Sequence, residues 1–493
     1  MATKTEFLAT PDKQNFINGQ WVASVSGEMI DSINPATGKL NGRIPASNKQ
    51  DIDAAVAAAR AAFTDGAWHD CTPSERSILL WKLADLVEQH AEELAYLETI
   101  DQGKPLSHAI SEMKGVAGQY RFYAGMATKI QGETYSQSMD RHNPAGKKTL
   151  AYSVKEPIGV VAAIVPWNAP LILLAFKLAP ALATGCSVVV KPAELTSLST
   201  LKFAELIQQA GFPAGAVNIV CGYGHTAGAA LAEHTDVDKV SFTGSTKTGK
   251  AIIDAAKTNL KKVSLELGGK SPVVVLPDAN IAEAITGAVR AITYNSGQIC
   301  IAGSRLYAHE AIYDQLVSGI VKVFKTLKIG DGIKADTMIG PMVNQHQANI
   351  VKSYIDAGIA EGAELLTGGN QFGDTNCFIE PTVLSNVNNT MKCVQEEIFG
   401  PVLVCQKFSD VSEIPALAND TIYGLGASIW TQDISVANRL ASQIKAGVVW
   451  INGHNVFDPA FPMGGYKQSG WSRDAGTQAV ENFLETKTII TLI

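Results

Sequence analysis

Three short stretches carry side chains suited to carbonyl chemistry. NSGQICIAGSR sets Cys300 between Gly297 and Gly303, LELGGK sets Glu266 in an apolar run before two glycines, and PWNAP sets the neutral amide of Asn168 between prolines. A thiolate can attack an aldehyde carbonyl, an amide can hold the oxyanion, and a carboxylate can activate water to release an acid. The missing step, loss of hydride, calls for a nicotinamide. Each residue also has a plainer reading: free cysteines are mostly small buried hydrophobes, a buried asparagine mostly satisfies a turn, and a glutamate at a strand end mostly faces water. Spacing alone does not bring positions 168, 266 and 300 together.

The nicotinamide requirement directs attention to phosphate-binding loops. FTGSTKTGKA (242–251) places Gly244 and Gly249 five apart before Lys250, close to the loop of nucleotide triphosphatases. Ala251 stands where those proteins need a hydroxyl for magnesium, so a kinase or ATPase is disfavoured, and no metal site is expected. The loop still follows a strand-like KVSFT and opens a helix-like segment, where exposed N–H groups attract anions. GYGHTAG (222–228) is one residue too long for the dinucleotide fingerprint. In SVVVKPAE, Lys191 ends a strand and Glu194 follows three residues on. An acidic side chain there can accept from a ribose 2′-OH and would repel a 2′-phosphate, although a solvated pair at a helix start is the local alternative.

These stretches sit in an ordinary globular chain of 493 residues, 46% hydrophobic and 18% charged, with net charge −7. No basic patch points to nucleic acid or an anionic membrane. Seven scattered cysteines with no C-x-x-C pair suit a reducing compartment, and the start MATKTEFLATPDKQ lacks a secretory apolar core, so a cytoplasmic location is expected. The 20 uncharged residues from Pro157 to Phe176 could span a bilayer by length, but Pro166 and Pro170 around Asn168 would strand backbone groups in lipid. A buried strand, a turn and an apolar helix is the better parse. Helical spacing covers 51–63, 75–98 and the stretch beyond Pro105 toward Gly125. From 159 onward, strand-like runs alternate with helical ones, as in an α/β protein with a parallel sheet, and a second such series follows from SPVVVLPD, with helices at 281–295, 311–327 and 435–446. The tail KTIITLI is a lone β-rich segment that must pair elsewhere or in another subunit.

The order of FINGQWV, INPATG, DQGKP, AIVPWNAP, VVVKPAE, FTGST, LELGGKSP, GQIC, EEIFGP, FPMGGYKQSG and ETKT resembles the aldehyde dehydrogenase superfamily over nearly the whole chain. The resemblance implies a Rossmann-like cofactor domain (1–130 with 153–264), a second α/β catalytic domain (265–479) and a small β oligomerisation element (131–152 with 480–493), in a homodimer or homotetramer. It implies Cys300 as nucleophile, Glu266 as base, and Asn168 with the Cys300 N–H as oxyanion hole. NAD would be held by Lys191 and Glu194 at the adenosine ribose and by Gly244 and Ser245 at the pyrophosphate. Glu397 would take the nicotinamide ribose, next to Glu396 in the same motif, with Phe399 against the ring, and Trp167 would also contact the cofactor. Lys177, Asp474 and Lys487 match positions that support the proton route and structure around the base, Asp474 being shorter than the glutamate often found there.

Matching the family's tunnel gives Ala169, Leu173, Phe176, Tyr294, Ile299, Ile301, Phe457 and Met463, with no charge among them. That suits an apolar aldehyde. Ala169 stands where many relatives carry Phe, and HNVFDPAFPMGGYKQSGW resembles phenylacetaldehyde dehydrogenases, although Met463 replaces a common Phe. A medium-chain aliphatic aldehyde, a semialdehyde, a CoA-acylating relative and a non-enzymatic structural homologue are the alternatives.

Overall fold

A computed structural model describes residues 5–138 and 146–493. The first four residues of the start read above, and 139–145 of the expected 131–152 element, lie outside the described residues.

The first sheet has a parallel core in the order Val217–Ile219, Ser187–Lys191, Val160–Ile164, Lys239–Thr243, Lys262–Glu266. VVAAI, SVVVK and KVSFT are buried throughout, as expected for parallel strands covered on both faces. Beside Val160–Ile164 the strand order reverses direction. Ligands of open α/β sheets bind outside the carboxyl ends of the strands at such a switch point. Trp167, Asn168, Gly244 and Ser245 follow the ends of the two strands there.

The apolar 157–176 stretch resolves as expected into strand, turn and helix. Pro170 starts the Pro170–Thr184 helix, where its missing N–H costs nothing, and Gly185 ends it at φ 98°. No described helix is long and apolar enough to cross a membrane.

A second sheet runs Glu364–Thr367, Thr382–Ser385, Val402–Phe408, Gly303–His309, Ser271–Val275, Gly426–Trp430, Val448–Ile451. Only four residues, Leu267 to Lys270, link the last long strand of the first sheet to the first strand of the second. The tail finds its partner within the chain: Leu484–Leu492 pairs antiparallel with Thr149–Pro157, from Leu484↔Pro157 to Leu492↔Thr149. That strand continues past the expected boundary at 152/153. Gly470–Trp471, expected in the catalytic block, pairs instead with Leu265 and Glu266 in the first sheet.

Other expectations also shift. The 75–98 helix is two, Pro73–Gln89 and Ala91–Gln102, because His90 leaves helical geometry at ψ 15°. Four short strands between Asn15 and Pro45 were not foreseen, being too brief for a clear alternation.

The helical layer over the first sheet contains a buried ionic cluster. Lys104 Nζ lies 2.8 Å from Glu98 and 2.6 Å from Glu112. Glu98 also accepts from the Leu171 N–H at 3.0 Å, and Glu112 accepts from the Tyr294 hydroxyl at 3.0 Å. The cluster thus ties the layer to the turn after Asn168 and to the helix end before Cys300. Lys104→Met would leave two carboxylates without their cation and should cost about 3–5 kcal/mol at pH 7. The loss should shrink at pH 5 as the Glu98 carboxyl, already pushed up by burial, protonates. Urea midpoints at the two pH values check this; an equal loss at both would contradict it.

Candidate active site

Cys300 is positioned by a turn that helical periodicity does not announce. The helix expected to reach 295 ends at Thr293, and Asn295 and Ser296 then adopt left-handed φ of 49° and 56°, costly for non-glycine residues. The turn is fastened at several points. Asn295 Nδ2 donates to the Asn168 carbonyl at 2.9 Å, Ser296 Oγ to the Gly340 carbonyl at 2.9 Å, and the Val343 N–H to Gln298 Oε1 at 2.9 Å. A Cβ on Gly297 would fall 2.2 Å from the Gly400 carbonyl. The Asn168 side chain closes the clasp, its Nδ2 donating to the Gln298 carbonyl at 3.0 Å.

Glu266 ends the Lys262–Glu266 strand and is buried, with Oε1 lacking any hydrogen-bond partner among the described residues. Burial raises its carboxyl well above the usual range, and the nearby Asp474 adds to the rise against Lys177 and Arg473. Lys177 and Asp474 form a buried ion pair at 3.2 Å. Asp474 is set by a two-way backbone bridge to Met463. The Cys300 thiol is also raised: by burial first, then by Glu266 and Glu397, while the Cys300 and Ile301 N–H groups work in the opposite direction.

A cavity of about 250 Å³ opens on one side of Cys300, with Trp167, Asn168, Gly244, Ser245, Glu397 and Phe399 among its walls. Ser245 caps the Thr246–Ala256 helix by accepting from the Thr248 N–H. Trp167 and Phe399 meet edge to face at 5.2 Å, Phe399 at a left-handed φ of 57°. Glu397 accepts from the Gly269 N–H at 2.9 Å, and burial pushes it up to about 7 against that bond and Lys270. Its neighbour Glu396 is exposed and takes the Tyr354 hydroxyl at 2.6 Å, so Glu397 is the one that faces the cavity.

Lys191 and Glu194 pair at 3.0 Å past the end of the adjacent strand, outside the walls of that cavity. Burial opposes the Glu194 charge, but Lys191 and the N–H groups of Glu194 and Gly224 hold the carboxyl below its ordinary value. The GYGHTAG segment therefore contributes an N–H beside Glu194. A helix N-terminus, a held carboxylate at a strand end and a second carboxylate near the thiol fit a dinucleotide laid along the carboxyl edge of the sheet.

On the other side of Cys300 lies a larger cavity of about 360 Å³. All eight expected tunnel residues line it: Ala169, Leu173, Phe176, Tyr294, Ile299, Ile301, Phe457 and Met463. Asn168, Glu266 and Asp474 share its wall, and Cys300 and Asn168 border both cavities. The uncharged lining holds for those eight positions but not for the cavity, which also meets Glu112, Arg290 and Asp458.

The aldehyde dehydrogenase family model matches residues 21–489. Aldehyde dehydrogenase family 2 member C4 of Arabidopsis thaliana is 47% identical over 477 residues, 96% of this chain and 94% of its own length. The phenylacetaldehyde dehydrogenase of Pseudomonas fluorescens is 44% identical over 481 residues, 97% of this chain and 95% of its own. The NAD+ complex of aldehyde dehydrogenase from Bacillus cereus superposes with a TM-score of 0.96 at 45% identity, covering 99% of this chain and 98% of that one. The chain belongs to the aldehyde dehydrogenase family.

In this aldehyde dehydrogenase one expected position stands apart. Lys487 lies in the tail strand, in an exposed ion pair with Glu156, on a stretch of the strand (485–488) that is exposed on both faces. The sequence reading also missed one wall of the tunnel. Ser111, Gly115 and Gln119 come from the Leu106–Met126 helix, and their four-residue spacing as a small or polar stripe was the available signal. Removal of the Glu266 charge should lower the Cys300 thiol. Glu266→Gln is therefore expected to alkylate with iodoacetamide severalfold faster than wild type at pH 9, read by mass spectrometry of the Cys300 peptide. Equal rates would mean that carboxylate and thiol do not interact.

Proposed function

We propose that this NAD-dependent aldehyde dehydrogenase oxidises apolar aldehydes, phenylacetaldehyde among them, to carboxylic acids through a thiohemiacetal and a thioester on Cys300. The observation that supports this most strongly is the placement of Cys300 and Asn168 on both cavities, with Glu266 in the tunnel wall. In this reading the Cys300 thiol first releases its proton to solvent, the Sγ thiolate bonds to the carbonyl carbon, and the carbonyl electron pair moves to oxygen. The oxyanion takes the Cys300 N–H and the second Nδ2 hydrogen of Asn168, the first being committed to Gln298. Bound NAD supplies the hydride acceptor that converts this adduct to the thioester. Glu266 then takes a proton from water as the water oxygen bonds to the acyl carbon, the C–Sγ bond breaks, and acid and thiolate separate.

The raised Glu266 carboxyl has a stronger affinity for a proton than an ordinary carboxylate, which suits a base, and deacylation is lost as pH falls through its raised value. Glu194, held charged by Lys191, supports NAD over NADP, whose 2′-phosphate would meet that carboxylate. The Ala169 position, the apolar majority of the tunnel and the likeness to the phenylacetaldehyde dehydrogenase support an aryl substrate. Tail-strand residues Ile490 and Leu492 are exposed and apolar, which supports subunit association through the small sheet. Seven free cysteines fit a reducing cytoplasm.

Rapid-mixing NADH traces test the chemistry and the substrate class together. Glu266→Gln should keep a burst of about one NADH per site and then slow by roughly 10²–10⁴-fold. Asn168→Ala should lose the burst rate itself by roughly 10²–10³-fold. In wild type, phenylacetaldehyde should exceed hexanal and succinic semialdehyde in kcat/KM. A Glu266→Gln trace with neither burst nor stall removes the base, and a clear win for the semialdehyde removes the apolar tunnel.

A further inference from the structure

The tunnel contains two primary amides with buried polar atoms that find no hydrogen-bond partner among the described residues. Gln119 is only 4% exposed, lines the tunnel, and its Oε1 is buried with no partner among the described residues. Asn455, from the loop after Val448–Ile451, lines the same tunnel, and both of its side-chain polar atoms are buried and likewise without partner. The two come from segments in contact: Gly118, next to Gln119, packs against Pro459 of the Asn455 loop, a Cβ there standing 3.6 Å from its ring. Buried amide groups are normally satisfied, and those left open inside a binding cavity have the ligand as their remaining partner.

Of the other polar groups of the tunnel, Ser111 and Arg290 are exposed to solvent, and the rest are already engaged or already assigned. Glu112 is held by Lys104 and the Tyr294 hydroxyl, Asp474 by Lys177, and Asp458 by the Ala460 N–H. Asn168 is clasped to Gln298, and Glu266 is the base in the reading above. An amide offers one acceptor and donor hydrogens together, which is the complement of a hydroxyl, a group that both donates and accepts.

We propose that Gln119 and Asn455 form a hydrogen-bonding subsite for a neutral hydroxyl on the aromatic ring, so that the preferred substrates are hydroxyaryl acetaldehydes. The subsite rests on the aryl-aldehyde reading and extends it: the carbonyl is held at Cys300, and the ring hydroxyl satisfies the two amides. A substrate lacking the hydroxyl leaves them buried and unpaired, which is how a site built around a substrate OH rejects an analogue without one.

The test is kcat/KM for 3- and 4-hydroxyphenylacetaldehyde against the size-matched 3- and 4-methyl compounds, with phenylacetaldehyde, hexanal and succinic semialdehyde alongside. The better hydroxy isomer should exceed its methyl counterpart by about tenfold or more in wild type. That ratio should collapse toward one in Gln119→Met, which keeps length and loses the polar pair, and should fall in Asn455→Ala. Gln119→Asn, which keeps an amide but shortens its reach, supplies the same ratio if Gln119→Met is poorly folded. A wild-type ratio at or below one, or a ratio unmoved by the Gln119 variants, overturns the subsite while aryl substrates still lead the panel. Loss of all aryl compounds to hexanal or the semialdehyde rejects the aryl reading itself, and the subsite with it.

Discussion

A Cβ on Gly268 would stand 2.2 Å from the Glu397 carboxylate, and one on Gly269 would stand 2.3 Å from the Cys300 carbonyl. Both distances are far inside van der Waals contact, so the strand that delivers Glu266 must continue into two residues without side chains. This close approach lets the first sheet end against the second. Leu267 to Lys270 form the short link between them, and Cys300 and Glu397 arrive from the second sheet at the point where Glu266 leaves the first. A larger side chain at either glycine would push the thiol and the carboxylates apart. Positioning errors of about 1 Å can cost as much as 10²-fold in rate.

The charges follow from that geometry. Burial raises Glu266, Glu397 and Cys300 together, and each carboxylate raises the thiol further. The buried Lys177–Asp474 pair stands behind Glu266 with one contribution of each sign. The free site is therefore held toward its protonated forms, which disfavours an exposed thiolate before substrate and cofactor are in place. The clasp among Asn295, Asn168 and Gln298 keeps the Asn168 amide and the Cys300 thiol in register while this electrostatic balance changes.

Local patterns in the sequence carried much of the fold. Apolar runs marked the buried strands, Pro170 and Gly185 punctuated the helix after Asn168, and the four residues following Lys239–Thr243 marked the capped helix start. The convergence of positions 168, 266 and 300 was legible only through family resemblance, because no periodicity encodes contacts between distant segments. The left-handed turn at Asn295 and Ser296 was hidden, since both residues lie where helical spacing still appears to continue and the turn is stabilised by tertiary hydrogen bonds. Lys487 stands apart because its strand is exposed on both faces at that point, which a motif position does not reveal. Gln119 was missed because a single polar residue on a helix is ordinarily solvent-facing, whereas this one is buried.

The central claim is that the position-300 sulfur, fed from one cavity and discharged by Glu266, carries the substrate covalently. Quenching Glu266→Gln in acid a few turnover times after mixing with phenylacetaldehyde and NAD, then digesting and weighing the peptides, tests it most directly. The account predicts a phenylacetyl mass increment on the Cys300 peptide in near-stoichiometric yield and on none of the other six cysteines. An unmodified Cys300 peptide despite a full NADH burst, or the acyl group on another residue, would contradict it.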